Sequence, residues 1–177
     1  MIVFLLEEPS MEAFLRVILQ QVIKDEDYKL IPHEGKGDLL RSIPIKLKAW
    51  NTPGTKFVIV QDQDNDDCID LKKKLADICE PYKRDVLIRI VCRELESWYF
   101  GDIQAVSDAY GKNLNKFRNS KKYSVPDKIF DPKAILKKEI PELTQIDGAG
   151  RIAKMMDINR NCSHSFKVFI DGIRRII

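Results

Sequence analysis

A chain of 177 residues, 44% hydrophobic and 32% charged, is long enough for one domain with a real core and is neither disordered nor fibrous. Its net charge of +3 is unevenly placed: residues 1–111 carry 15 Lys+Arg against 20 Asp+Glu, and residues 112–177 carry 15 against 7. No window approaches the roughly 18 apolar residues of a membrane span, and the opening MIVFLL is too short, and lacks the basic start, for a signal peptide. Cys68, Cys79, Cys92 and Cys162 stand far apart with no Cys-x-x-Cys pair, which argues against a zinc site or a disulfide framework. They read as reduced thiols in a cytoplasmic protein.

In chain order, IVFLL (2–6) is an unbroken apolar run, the pattern of a strand buried on both faces. Pro9 and Ser10 open a helix in which Phe14, Leu15, Ile18, Leu19, Val22 and Ile23 recur at helical spacing. YKLIPH (28–33) predicts a second strand, and GKGDLLRSIPIKLKAW (35–50) a turn into a helix that Pro44 interrupts. KFVIVQ (56–61) is the next strand and 67–79 a helix with a lysine-rich face. DVLIRIVC (85–92) is a fourth strand, followed by one aromatic-rich helix from Arg93 to Tyr110. Strands alternating with helices predict an α/β fold with a mainly parallel sheet covered on both faces. After Gly111 the texture turns polar and basic, with helical patterns at 133–139, about 148–157 and 165–176. The expected organisation is an α/β core over 1–111 and a helical extension over 112–177 packed on it.

Three predicted strands end in acid: Glu7 and Glu8 after the first, Asp62 and Asp64 after the third, Glu94 and Glu96 after the fourth. Parallel sheets bind ligands at the carboxyl ends of their strands. Asp62 and Asp64 are two apart, so an extended chain points both the same way. Oxygen-only donors suit a hard cation, Mg²⁺ or Mn²⁺. Acids after a strand also cap helices, which accounts for Asp66 or Asp67 better than for Asp62 with Asp64. An EF-hand loop fails because Asp67 and Lys73 stand at its glycine and glutamate positions. The haloacid-dehalogenase and receiver patterns each lack an essential residue.

A glutamate closing the first strand (FLLEEPSMEAFL) and an Asp-x-Asp closing a later one (VIVQDQDNDDC) resemble the Toprim domain of topoisomerases, primases and OLD-family nucleases. The pieces GKGDLL, RELESWYFGD and SHSF resemble a Toprim-related family of bacteria and archaea, often encoded beside OLD- or ABC-type ATPases. The resemblance implies a metal-binding or acid–base role for Glu7, Mg²⁺ ligation by Asp62 and Asp64, and Glu94 or Glu96 as an additional acid. It departs at Glu8, where the family usually has glycine, and at Met11, where many members carry an acid; Glu8 and Glu12 have that spacing if the register shifts by one.

Such an enzyme must also hold a polyanion. Lys112, Lys116, Arg118, Lys121 and Lys122 are the candidates, with Phe117 and Tyr123 between them to stack on unpaired bases; a solvated basic loop is the bland alternative. Trp98, Tyr99 and Phe100 read as core. Lys36 between two glycines can meet a phosphate, without the spacing of a P-loop. The expected function is Mg²⁺-dependent cleavage of nucleic acid, DNA ahead of RNA, with a separate ATPase as the partner the resemblance implies, in phage defence or repair. The alternative is a non-catalytic nucleic-acid-binding or regulatory subunit of the same fold.

Overall fold

A computed structural model describes residues 1–177. Four strands, β1 (Ile2–Leu6), β2 (Tyr28–Pro32), β3 (Lys56–Asp62) and β4 (Asp85–Val91), form one sheet in the order β2-β1-β3-β4. Every pair is parallel, with Leu6 level with Pro32 on one side and Val60 on the other, and Asp62 level with Val91. Parallel neighbours need crossover connections. These are α1 (Pro9–Ile18), α2 (Lys36–Ala49) and α3 (Cys68–Cys79). The chain leaves β1 towards β2 and then crosses to β3, so the order reverses between β1 and β3. That reversal opens a crevice at the strands' carboxyl ends. The expected class, a mainly parallel sheet flanked by helices with a helical C-terminal part, is the one observed.

Side-chain alternation sends each strand into two cores. Ile2, Phe4, Leu6, Val58 and Val60 join α1 in one; Val3, Leu5, Phe57 and Ile59 join α2 and α3 in the other. The first core also takes the C-terminal helices α4 (Leu95–Gly101), α5 (Ile103–Tyr110), α6 (Asn115–Arg118), α7 (Pro132–Glu139), α8 (Gln145–Met155) and α9 (His164–Ile176). One buried cluster therefore runs from Ile2 to Ile173 across the boundary at Gly111. Trp98, Tyr99 and Phe100 lie in it, with Trp98 against Phe14, Phe166 and Phe169. No helix is long and apolar enough to cross a membrane.

Two elements differ from their sequence patterns. Pro44 does not interrupt α2, whose Leu39, Ile43 and Leu47 are fully buried on the sheet and outweigh the lost amide bond. The helix expected over 93–110 is two helices, broken at Asp102. The carboxylate of Asp102 is buried and accepts from Ala105 N, Asp157 N at 3.0 Å, and Arg160 Nε and Nη2 at 2.7 and 2.8 Å. Gly101 precedes it because nothing larger fits: a Cβ there would stand 2.0 Å from Asn161 Oδ1. Gly101→Ala is expected to cost about 2 kcal/mol, the usual scale of overpacking, read as a lower urea midpoint with an unchanged slope. An unaltered midpoint would show that the Asn161 loop yields freely.

Candidate active site

Three strand ends meet at the crevice. Glu7 follows β1, its N–H bonded to Val60 O and its carbonyl accepting from Gly35 N at 2.9 Å. Gly35 has φ +97°, a conformation open to glycine and strained for other residues, and it starts α2 directly behind Glu7. The Glu7 side chain reaches across to β3, where its Oε2 accepts from Asp62 N at 3.0 Å. Residues 55 positions apart are thus bound together at one rim. Asp62, the last residue of β3, is 7% exposed, and its Oδ1 has no hydrogen-bond partner. Strand alternation turns it to the α1 and α4 side, where Glu8 precedes α1 and Glu96 lies in the first turn of α4.

The electrostatics record the crowding. Burial, then the nearby Glu7, Glu96, Glu8 and Asp64, hold the Asp62 carboxyl well above the ordinary range. Burial raises Glu7 to about 7, against the opposing pull of the Asp62 amide and Lys36. Burial likewise raises Glu96 to about 7, with Glu94 and Glu8 adding to the rise and Lys133 opposing it. Displaced carboxyl groups gathered in a crevice make it a candidate functional site.

Asp64 does not follow the extended path expected of it. The chain leaves β3 at Asp62, Asp64 takes a left-handed φ of 51°, and its Oδ2 pairs with Lys36 Nζ at 2.7 Å. Lys36 also pairs with Asp66 at 3.0 Å, so the GKG turn delivers its ammonium to the acidic loop. Asp67 caps α3, its Oδ1 accepting from Ile69 N and Asp70 N. With Asp64 turned to Lys36, no three of the carboxylates close on one point. The donor set nevertheless fits a hard cation: the oxygens are acidic, the central one is buried, and Asp62 Oδ1 lacks a partner. Glu7, Asp62 and Asp64, with Glu96, are the residues that would hold it.

Glu94 has a different setting from Glu96. It precedes α4, is half-buried, and its Oε2 accepts from Lys133 N at 3.3 Å at the start of α7. Glu96 opposes the ionisation of Asp62, while Glu94 faces Asp131, Lys133 and Asp64. Met11 is buried core and Glu12 turns outward to Arg16, so neither adds an acid to the rim.

The basic segment also differs in part from its reading. Phe117 is 4% exposed and packs on Phe100 and Tyr123, while Tyr123 stacks on Phe100. Neither ring presents the free face that base stacking needs, because an amphipathic turn here buries its aromatics. Lys112 pairs with Glu142 at 3.2 Å and Lys116 with Glu139 at 2.5 Å. Arg118, Lys121 and Lys122 stay exposed, without ion pairs. The cations that bear directly on the carboxylates are Lys36 and Lys133. Lys133 sits in α7, a lysine-rich stretch ordinary for a surface helix, so only the fold distinguishes it.

Fold and rim together define a parallel α/β domain with an acidic cluster at its switch point. The chain belongs to the family described as Domain of unknown function (DUF4276), whose model matches residues 6–174. Its fold is similar to the C-terminal region of the Burkholderia pseudomallei OLD protein, with a TM-score of 0.58 and 13% identity over 99% of this chain and 98% of that one. No curated protein matches the chain.

Proposed function

We propose that the protein is a Mg²⁺- or Mn²⁺-dependent nuclease whose centre is Glu7, Asp62, Asp64 and Glu96. The observation that carries this reading is the buried, unpartnered Asp62 Oδ1 among acids drawn from three strand ends. A bound divalent cation would supply charge neutralisation and activation of water at neutral pH. Glu7, raised to about 7 by burial, is suited to exchange a proton with the attacking water or the leaving oxygen. Its hydrogen bond from Asp62 N holds one oxygen and leaves the other free for that exchange. Lys36 balances the acidic loop before substrate arrives and is within reach of a phosphate. Exposed Arg118, Lys121 and Lys122 supply long-range attraction for a polyanion, with DNA favoured over RNA.

Four free cysteines fit a cytoplasmic setting. The similarity to an OLD protein's C-terminal region supports action beside a separately encoded ATPase, in phage defence or repair. A second reading, a non-catalytic nucleic-acid-binding or regulatory subunit, is favoured by the hold of Lys36 on Asp64.

Incubation with plasmid and single-stranded DNA separates the two. Cutting that needs Mg²⁺ or Mn²⁺ and stops with chelator is expected; salt-sensitive binding without cutting would leave the regulatory reading in place. Between the paired acids, Glu96→Gln is expected to slow turnover by about 10²-fold, the scale of losing an acid–base group. Glu94→Gln should change it less than about fivefold, since Glu94 makes a weaker claim on Asp62. Equal losses, or the reverse order, would remove Glu96 from the centre.

A further inference from the structure

A cleft of about 380 Å³ opens beside the carboxylate rim, between α4, α7 and the start of α8. Its inner end is Glu96 and Tyr99, its sides are Lys133 and Lys137, and its mouth is Leu143, Thr144 and Gln145. Glu96 belongs to both the cleft and the acidic centre, so whatever fills the cleft adjoins that centre. A larger cavity, about 410 Å³, lies at the other end of α4 by the Asp102–Arg160 pair and has no comparable cluster of acids.

The cleft has the chemistry of an amphipathic anion site. Tyr99 is 2% exposed and its ring packs on Phe14. Tyr99 lines the cleft beside Glu96, and its hydroxyl makes no protein hydrogen bond. A hydroxyl at the cleft wall without a protein partner is available to a ligand as donor or acceptor. Lys133 makes no ion pair and stands free at the side. Lys137 is tied by its Nζ to Pro141 O and Leu143 O at 2.7 and 2.6 Å, which fixes the loop that forms the mouth. Thr144 precedes α8 without capping it, leaving a hydroxyl and the first amides of an 11-residue helix uncommitted. Leu143 and the Tyr99 ring supply apolar wall. Phe130, 74% exposed, stands three residues before Lys133 and offers the free aromatic face that Phe117 and Tyr123 lack.

We infer that this cleft is a nucleotide subsite: it takes one unpaired nucleotide, its base against Leu143 and Tyr99, its phosphate beside Lys133 and the start of α8. The inference rests on the nuclease reading for the neighbouring centre and narrows its substrate to strands with an unpaired nucleotide. A cleft of this volume lies at the small end of ligand sites and admits one nucleotide rather than a duplex. The base would be held by apolar contact with Leu143 and by hydrogen bonds to the Tyr99 hydroxyl and the Gln145 amide, and the phosphate by charge and helix amides.

Binding is measured in chelator, so that it is read apart from cutting, using fluorescence anisotropy of a labelled single-stranded oligonucleotide and of the same sequence in a blunt duplex. The single strand is expected to bind at least about tenfold more tightly, the scale of one hydrogen-bonded base with its neighbouring phosphate. Lys133→Ala and the double variant Thr144→Val/Gln145→Ala should each remove most of that preference; all three positions are exposed, so folding is spared. Tyr99→Phe, which keeps the ring, should weaken the single strand and leave the duplex unchanged. Unlabelled 5′-AMP distinguishes the two sources of the ligand: displacement of the strand assigns the cleft to free mononucleotides as well, and failure to displace it assigns the cleft to strands alone. Equal affinity for strand and duplex, or a preference that survives every variant, overturns the subsite. Duplex and single strand cut at one rate with loss in Asp62→Ala would keep the centre and remove the subsite. A strand preference without metal-dependent cutting would keep the subsite and remove the nuclease.

Discussion

Asp62→Asn is expected to abolish metal-dependent cutting and, in the same protein, to raise the melting temperature measured in chelator. The two effects have one cause. Asp62 is 7% exposed, one of its oxygens has no partner, and Glu7, Glu96, Glu8 and Asp64 all oppose its ionisation. A buried charge in that position destabilises the cation-free fold. The amide keeps the shape, removes the charge and can donate to the neighbouring acids. The gain is on the order of 2 kcal/mol, or about 4–6 °C for a domain of this size. Loss of a ligand to the cation removes several kcal/mol of charge stabilisation, so turnover should fall by about 10³-fold or more. Mn²⁺ should raise the melting temperature of the wild type and leave Asp62→Asn unchanged. An Asn variant that melts lower than wild type in chelator, or that still responds to Mn²⁺, would mean that Asp62 is a structural residue.

The second large effect is a pH dependence of stability that a divalent cation reverses. Glu7 and Glu96 are raised by burial from 4.5 to about 7 in the folded protein. Between those values the native state holds protons that the unfolded chain has released, so stability falls as pH rises through the window. The contribution is at its most favourable below about pH 4.5 and is lost above about pH 7. Each shift alone corresponds to about 3 kcal/mol. The two acids share one crevice and are partly open to solvent, so roughly 3 kcal/mol for both together is the expected loss. The clean comparison is wild type against Glu7→Gln/Glu96→Gln by urea unfolding in chelator, because other titrating groups cancel. The variant should gain on the wild type steadily from pH 5 to pH 8, and millimolar Mn²⁺ at pH 8 should restore the wild type alone. A difference independent of pH would show that neither carboxyl is displaced.

How much of this was legible beforehand differs between elements. IVFLL and KFVIV announce buried parallel strands because nothing polar interrupts them, and both are fully buried save Lys56. Asp67 as a helix cap was readable because capping is local, a side chain reaching two or three residues ahead. The break at Asp102 was not, since its partners are Asp157 and Arg160, more than fifty residues on. The stacking role expected of Phe117 failed for the same reason: alternating lysines and aromatics look alike whether the rings face solvent or, as here, Phe100. Asp64 leaves the side of Asp62 because Asp-x-Asp implies a common side only while the chain is extended, and β3 ends at Asp62, two residues before Asp64 takes its left-handed φ.

The amino-acid sequence by itself determined the alternation of strands and helices, and that acids follow three of the strands. Both are written in short windows, where hydrophobic period and residue type act directly on the backbone. Tertiary structure alone decided that β1 lies beside β3, that Glu7 bonds the amide of Asp62, that Lys36 takes Asp64, and that Glu96 lies near enough to oppose the ionisation of Asp62. Those outcomes depend on strand order and on the burial of charge, and both are set by the packing of the whole chain.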